Sequence, residues 1–95
     1  MSQRYEYRFS ITTKTDDLSV LYCLRALSMA AQTTGNNMIP WGNTKNKCWK
    51  MNQHQVTFHF STDEYRRSFI REAQRLLPTE LWVIVNQKDN DPPNP

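Results

Sequence analysis

Residues 55–64 read Gln-Val-Thr-Phe-His-Phe-Ser-Thr-Asp-Glu and predict a strand that leads directly into a helix. In the first six residues apolar side chains alternate with polar ones, which is the period of a strand with one buried face. The buried face of this predicted strand is Val56, Phe58 and Phe60. Ser61 and Glu64 then form a capping box, in which a hydroxyl and a carboxylate bond the first free N–H groups of a helix.

Two amphipathic helices are predicted from apolar residues that recur at helical spacing. The helix after the capping box ends at Pro78, and its apolar stripe is Tyr65, Phe69, Ala73 and Leu76. The earlier helix lies between Lys14 and Thr34, with an N-cap in Thr15-Asp16-Asp17 and a glycine stop at Gly35. Its apolar stripe is Val20, Leu24, Leu27 and Ala31.

Three further strands complete the prediction. Residues 4–12 alternate strictly, residues 38–41 resemble an edge strand whose hairpin returns over residues 47–51, and residues 81–85 are wholly apolar. The order strand, helix, strand, strand, helix, strand favours a ferredoxin-like βαββαβ sandwich of the α+β class. In this fold two helices cover one face of a four-stranded antiparallel sheet. We expect a single domain over residues 1–87 and a disordered tail over residues 88–95.

The composition and the motifs of the chain disfavour several classes of function. The 95 residues carry a net charge of +3, which is compatible with a polyanionic partner. Cys23 and Cys48 form no CxxC pair, and no apolar run reaches the roughly 18 residues that a membrane span requires. We expect a cytoplasmic protein with reduced thiols, no metal, no cofactor and no contact with a membrane. No catalytic motif is present, so we expect a protein that is not an enzyme.

The face of the sheet away from the helices is expected to carry cations and aromatic rings. On the last strand we expect Leu81, Val83 and Val85 inward, which leaves Trp82 and Ile84 outward. The predicted binding residues are Arg4, Arg8, Trp41, Lys45, Lys47, Trp49, Lys50, His59 and Trp82. Rings of this kind stack on bases while cations hold phosphates, so single-stranded DNA or RNA is the first predicted partner.

Two other functions fit the same pattern. Trp and Arg are also enriched at protein interfaces, so the chain would then be a regulator or inhibitor of the kind that phages and plasmids encode. Its target would be another protein, such as one that handles nucleic acid, and it would form a homodimer through the last strand. A small dimeric α+β-barrel enzyme is the third alternative.

A second basic surface is predicted on the second helix, where Arg67, Arg71 and Arg75 recur every four residues. Asp63 and Glu72 lie at ion-pair spacing from two of these arginines. The surface is therefore either an ordinary salt-bridged helix face or a ridge that binds phosphate.

Overall fold

The computed structural model describes residues 7–31 and 46–91 of the chain. The elements in this part are β1 (Phe9–Lys14), α1 (Leu18–Ala31), α2 (Asn46–Met51), β2 (Gln55–Phe60), α3 (Asp63–Leu76) and β3 (Val83–Lys88). The strands form one sheet in the order β2-β1-β3, and β1 is antiparallel to both neighbours. The mixture of sheet and helices is compatible with the α+β class.

The predicted four-stranded ferredoxin-like sheet is wrong, because the described residues form a three-stranded sheet and three helices. The segment expected to return as a strand lies in α2, and the residues of that helix include no β-branched side chain. After α2 the chain turns through Gln53 and His54, whose φ values of 56° and 63° are left-handed. The predicted edge strand at residues 38–41 lies outside the described residues.

The two long helices were predicted from their caps and stripes, and both are present, although Leu76 of the second stripe is exposed and Gly35 lies outside the described residues. At the start of α1 the Asp17 carboxylate accepts a hydrogen bond from the backbone N–H of Val20 at 3.1 Å. The N-cap of α3 is Thr62 and not Ser61, because the Thr62 hydroxyl accepts from the backbone N–H of Tyr65 at 3.0 Å. The helix ends before Leu77, which is extended as expected of a residue that precedes proline.

One apolar core lies between the sheet and the long helices. The predicted buried face of β2 is confirmed, since Val56, Phe58 and Phe60 are all buried. The ring of Phe69 on α3 lies 5.2 Å from that of Phe58 and 5.4 Å from that of Phe60. These tilted ring contacts hold α3 against the sheet. Among the described residues, no long helix lies on the opposite face of the sheet.

The predicted orientation of the last strand is wrong. Trp82 and Ile84 pack on the core, and the alternate positions Leu81, Val83 and Val85 are exposed. Val83 and Ile84 pair with Lys14 and Thr13, but Asn86 pairs with Thr12, so one extra residue is inserted in β3. This β-bulge at Val85 turns Asn86 to the outer face, where Thr12 lies.

Candidate interaction surface

The outer face of the sheet is polar at its centre. The hydroxyls of Thr12 and Thr57 lie 2.9 Å apart across the β1–β2 pair. The exposed Lys14 pairs in register with Val83, so both side chains share this face. The central part of the face therefore offers hydroxyls and a cation, with an apolar side chain beside them.

One end of the outer face is covered by the residues that follow β3. The Ser10 hydroxyl donates to the Asp91 carboxylate at 2.8 Å, and the Asp91 N–H donates to the Arg8 carbonyl at 2.8 Å. His59, the register partner of Ser10, is buried, and its Nδ1 has no hydrogen-bond partner within the described part of the chain. Burial lowers the pKa of His59, and the nearby Asp91 carboxylate partly opposes that shift. Burial therefore disfavours the charged form of His59, and only 5% of this residue is exposed.

The buried guanidinium of Arg66 fastens the same segment from the helix side. It donates to the carbonyl of Lys88 at 2.8 Å and to that of Ser10 at 3.2 Å. It also forms ion pairs with Asp63 at 2.7 Å and with Asp89 at 2.6 Å. These contacts connect α3, β1 and the end of β3, so Arg66 has a structural role.

Three exposed apolar side chains lie just before and within the first half of β3. We call them the β3 stripe: Leu81, Val83 and Val85, which are 39%, 54% and 43% exposed. They flank β3 on the side away from the core, and in the described part of the chain β3 pairs with β1 alone. Val83 and Val85 lie within β3, and Leu81 lies two residues before the strand begins.

Two grooves adjoin the β3 stripe. A groove of about 580 Å³ lies at one end of the sheet, between the start of β3 and the turn before β2. Leu81 and Val83 line it together with the charged side chains Lys14, Asp16 and Glu80. A smaller groove of about 300 Å³ lies between α3 and β3 and includes Val83 and Ile84. The stripe therefore continues into concave surface on both sides of Val83.

The predicted aromatic binding residues do not form an exposed platform among the described residues. Trp49 is 3% exposed, and its indole N–H donates to the carbonyl of Thr15 at 2.7 Å. Its ring lies edge-on to His54, with the ring centres 4.7 Å apart. Trp82 is 8% exposed and belongs to the core cluster. Both rings were expected to lie outward, and both serve the fold instead.

The structure describes three of the predicted basic residues, two of which lie on α2. Lys47 and Lys50 both belong to α2, and Lys50 is exposed. The guanidinium of Arg8 lies 4.5 Å from the ring centre of Phe9. Three of the predicted residues lie outside the described residues: Arg4, Trp41 and Lys45. Because Trp49 and Trp82 are buried, neither ring offers an exposed stacking surface beside the described cations.

The arginines of α3 form an ion-paired helix face. Arg67 pairs with Asp63 at 2.7 Å, and Arg75 pairs with Glu72 at 2.8 Å. The hydrogen bond between Arg75 and Glu72 lowers the pKa of the Glu72 carboxyl and raises that of the Arg75 guanidinium. Arg71 is exposed and lines a groove of about 430 Å³ together with Arg67. Two of the three arginines thus already have anionic partners.

Three further properties concern residues 7–31 and 46–91. No group of three His, Cys, Asp or Glu side chains there could hold a metal ion. The thiol of Cys23 is exposed on α1. No helix in these ranges has the length and apolar character to cross a membrane.

Sequence reasoning missed two features of this surface. Arg66 is buried, and the signal was its spacing: it lies three residues before Phe69 and seven before Ala73, which places it on the buried side of α3. The exposure of the β3 stripe had no signal, because every residue from Leu81 to Val85 is apolar and the alternation has no phase.

The chain was compared with protein-family models, curated proteins and solved structures, and none of them matches it.

Proposed function

We propose that this chain is a small non-enzymatic interaction module that docks a protein through the β3 stripe. It would act as a regulator or inhibitor by occupying its partner. The observation that carries the proposal is the exposure of Leu81, Val83 and Val85 just before and within a strand that has a described neighbour on one side only. Exposed apolar side chains grouped in this way are typical of interaction surfaces.

The free energy available from the stripe suits a reversible contact. Complete burial of a Val or Leu side chain contributes about 1.5–3 kcal/mol, and each stripe residue is roughly half exposed in the free chain. Covering all three would then contribute about 2–4 kcal/mol before the cost of association. Contacts in the adjoining grooves would have to supply the rest of the binding free energy.

A protein partner is favoured over nucleic acid by the surface that is left after folding. Non-specific binding of a single strand needs exposed rings together with cations that track the backbone. Trp49 and Trp82 are buried, and the exposed cations Lys14, Lys50 and Arg71 lie on three different elements. Binding through apolar side chains should also depend less on salt than binding to phosphates.

The other exposed apolar side chains of the described residues are a weaker candidate. Leu18, Tyr22 and Met29 lie on one side of α1, spread over twelve residues. The guanidinium of Arg25 lies over the ring of Tyr22, 5.6 Å from its centre, so a cation interrupts this helix face. No such interruption separates Leu81 from Val85.

Site-specific photo-cross-linking tests the proposal. A photoreactive amino acid is placed at Val83 in the full chain and, as a matched control, at Met51, which is an exposed apolar residue on α2. After irradiation in cells or extract of the source organism, we expect nuclease-resistant protein adducts at position 83 that are absent at position 51.

Two results would overturn the proposal. One is the same set of adducts at both positions, which would mean non-specific proximity. The other is that both variants bind a labelled single- or double-stranded oligonucleotide, that this binding weakens steeply with salt, and that added protein does not displace the oligonucleotide. That second result would return nucleic acid to first place, with the α3 arginines as its site.

A further inference from the structure

We propose that the protein docked on the β3 stripe is a second copy of this chain, with the two β3 strands antiparallel across a two-fold axis near Ile84. The inference rests on the proposed function, because it names the partner of the same surface. A two-fold contact is self-complementary: residue i of one copy faces residue j of the other, and j faces i.

Two of the three side chains of the β3 stripe satisfy this condition, whereas Leu81 lies opposite Gln87. An antiparallel two-fold centred on Ile84 places each residue opposite the one equally distant on the other side of the centre. Val83 then faces Val85 of the second copy, and Val85 faces its Val83. Each copy would cover Val83, the most exposed residue of the β3 stripe, with an apolar side chain of the other.

Charge complementarity supports the antiparallel orientation. Glu80 lies four residues before the centre and Lys88 four residues after it, and both side chains are exposed. In the antiparallel pair each Glu80 therefore lies toward Lys88 of the second copy. A parallel arrangement would bring Glu80 to Glu80 and Lys88 to Lys88, which repel.

The bulge determines the kind of contact. It interrupts the regular hydrogen-bonding edge of β3, and proteins use such bulges to prevent continuous pairing between sheet edges. The contact is accordingly made by side chains of the stripe and not by extension of the sheet. A contact of this type has little area, so the dimer should be weak and dependent on concentration.

Charge reversal in analytical ultracentrifugation tests the inference on the full chain. Over about 1–300 µM, a range suited to weak association, we expect a monomer–dimer equilibrium for the wild type. Glu80→Lys or Lys88→Glu alone replaces two attractive pairs with two repulsive ones and should raise the dimer dissociation constant roughly five- to tenfold.

The double variant Glu80→Lys/Lys88→Glu is the decisive sample. It restores opposite charges across the two-fold axis, so its dissociation constant should return to within about twofold of the wild type. Lys50→Glu, a reversal of an exposed lysine on α2, is the matched control and should leave the constant unchanged. Urea unfolding of each variant verifies that the fold is retained, which is expected for surface positions.

Failure of this inference is distinguishable from failure of the proposed function. A monomeric wild type throughout the range, or a double variant as weak as the single ones, overturns the second copy as partner. If Val83 then still cross-links to a different protein, the docking function stands with another occupant. If Val83 gives no specific adduct either, both proposals fall.

Discussion

Trp49 and Trp82 provide a matched test of whether the tryptophans belong to the fold or to a binding surface. Both are buried and both can be replaced by Phe, but the indole N–H of Trp49 donates to Thr15 whereas that of Trp82 has no partner among the described residues. Because the phenyl ring is smaller than the indole and leaves packing contacts unfilled, the free energy of unfolding should fall by about 1–2 kcal/mol at either site. At Trp49 the carbonyl of Thr15 also loses its donor, which adds about 1–3 kcal/mol.

The expected free energies of unfolding therefore fall by about 2–5 kcal/mol for Trp49→Phe and by about 1–2 kcal/mol for Trp82→Phe. The difference of about 1–3 kcal/mol corresponds to roughly 5–20 °C in Tm for a domain of this size. Urea titration followed by far-UV circular dichroism measures it without relying on tryptophan emission.

A change of less than about 0.5 kcal/mol for Trp49→Phe, the usual size for a surface substitution, would refute the buried hydrogen bond. A larger loss for Trp82→Phe than for Trp49→Phe would contradict the reasoning in a different way. It would mean that packing and not the hydrogen bond to Thr15 determines the contribution of each ring.

Three further predictions concern the stability of the fold, each measured by urea unfolding. Arg66→Met should cost about 2–3 kcal/mol, because the carbonyls that the guanidinium binds lose a charged donor; a neutral outcome would contradict its structural role. Thr62→Ala should lower the free energy of unfolding by about 1 kcal/mol, because it removes the N-cap of α3, and Ser61→Ala should lower it by less. A larger loss for Ser61→Ala would mean that Ser61 is the cap. Since burial lowers the pKa of His59 below its ordinary 6.5, neutral His59 is favoured in the folded state. The contribution of His59 to stability is fully present above pH 6.5 and is lost as the pH falls through the folded pKa, because the unfolded state binds the proton first. The wild type should therefore lose more stability between pH 7.5 and pH 5 than His59→Gln. Equal losses in the two proteins would exclude this contribution.

The elements that sequence reasoning located correctly are those in which several local signals agree. In α3 a hydroxyl cap, acidic residues in the first turn, a helical stripe and Pro78 all indicate the same helix. In β2 the alternation of Phe58 and Phe60 with polar residues fixes which face is buried. Only the cap moved by one residue, from Ser61 to Thr62, since both carry a hydroxyl.

The elements that were mistaken lack such agreement. Residues 46–51 are too few for a period to identify, and their conformation depends on Trp49, which reaches across to the carbonyl of Thr15 in a distant segment. A contact between residues 34 positions apart leaves no local pattern. The expectation of a binding finger followed from counting rings and lysines, and burial of Trp49 removes one of those rings from the surface.

The apolar run before and within β3 explains why the candidate surface exists at all. A strand with one buried face needs apolar side chains at alternate positions, and Trp82 and Ile84 satisfy that need. Leu81, Val83 and Val85 lie on the other side, where Thr would preserve the β-branched character that a strand favours without exposing apolar surface. The core therefore does not require valine at positions 83 and 85, and the bulge at Val85 deters simple edge pairing. What these side chains add is exposed apolar area, and this is the physical reason to propose docking at β3.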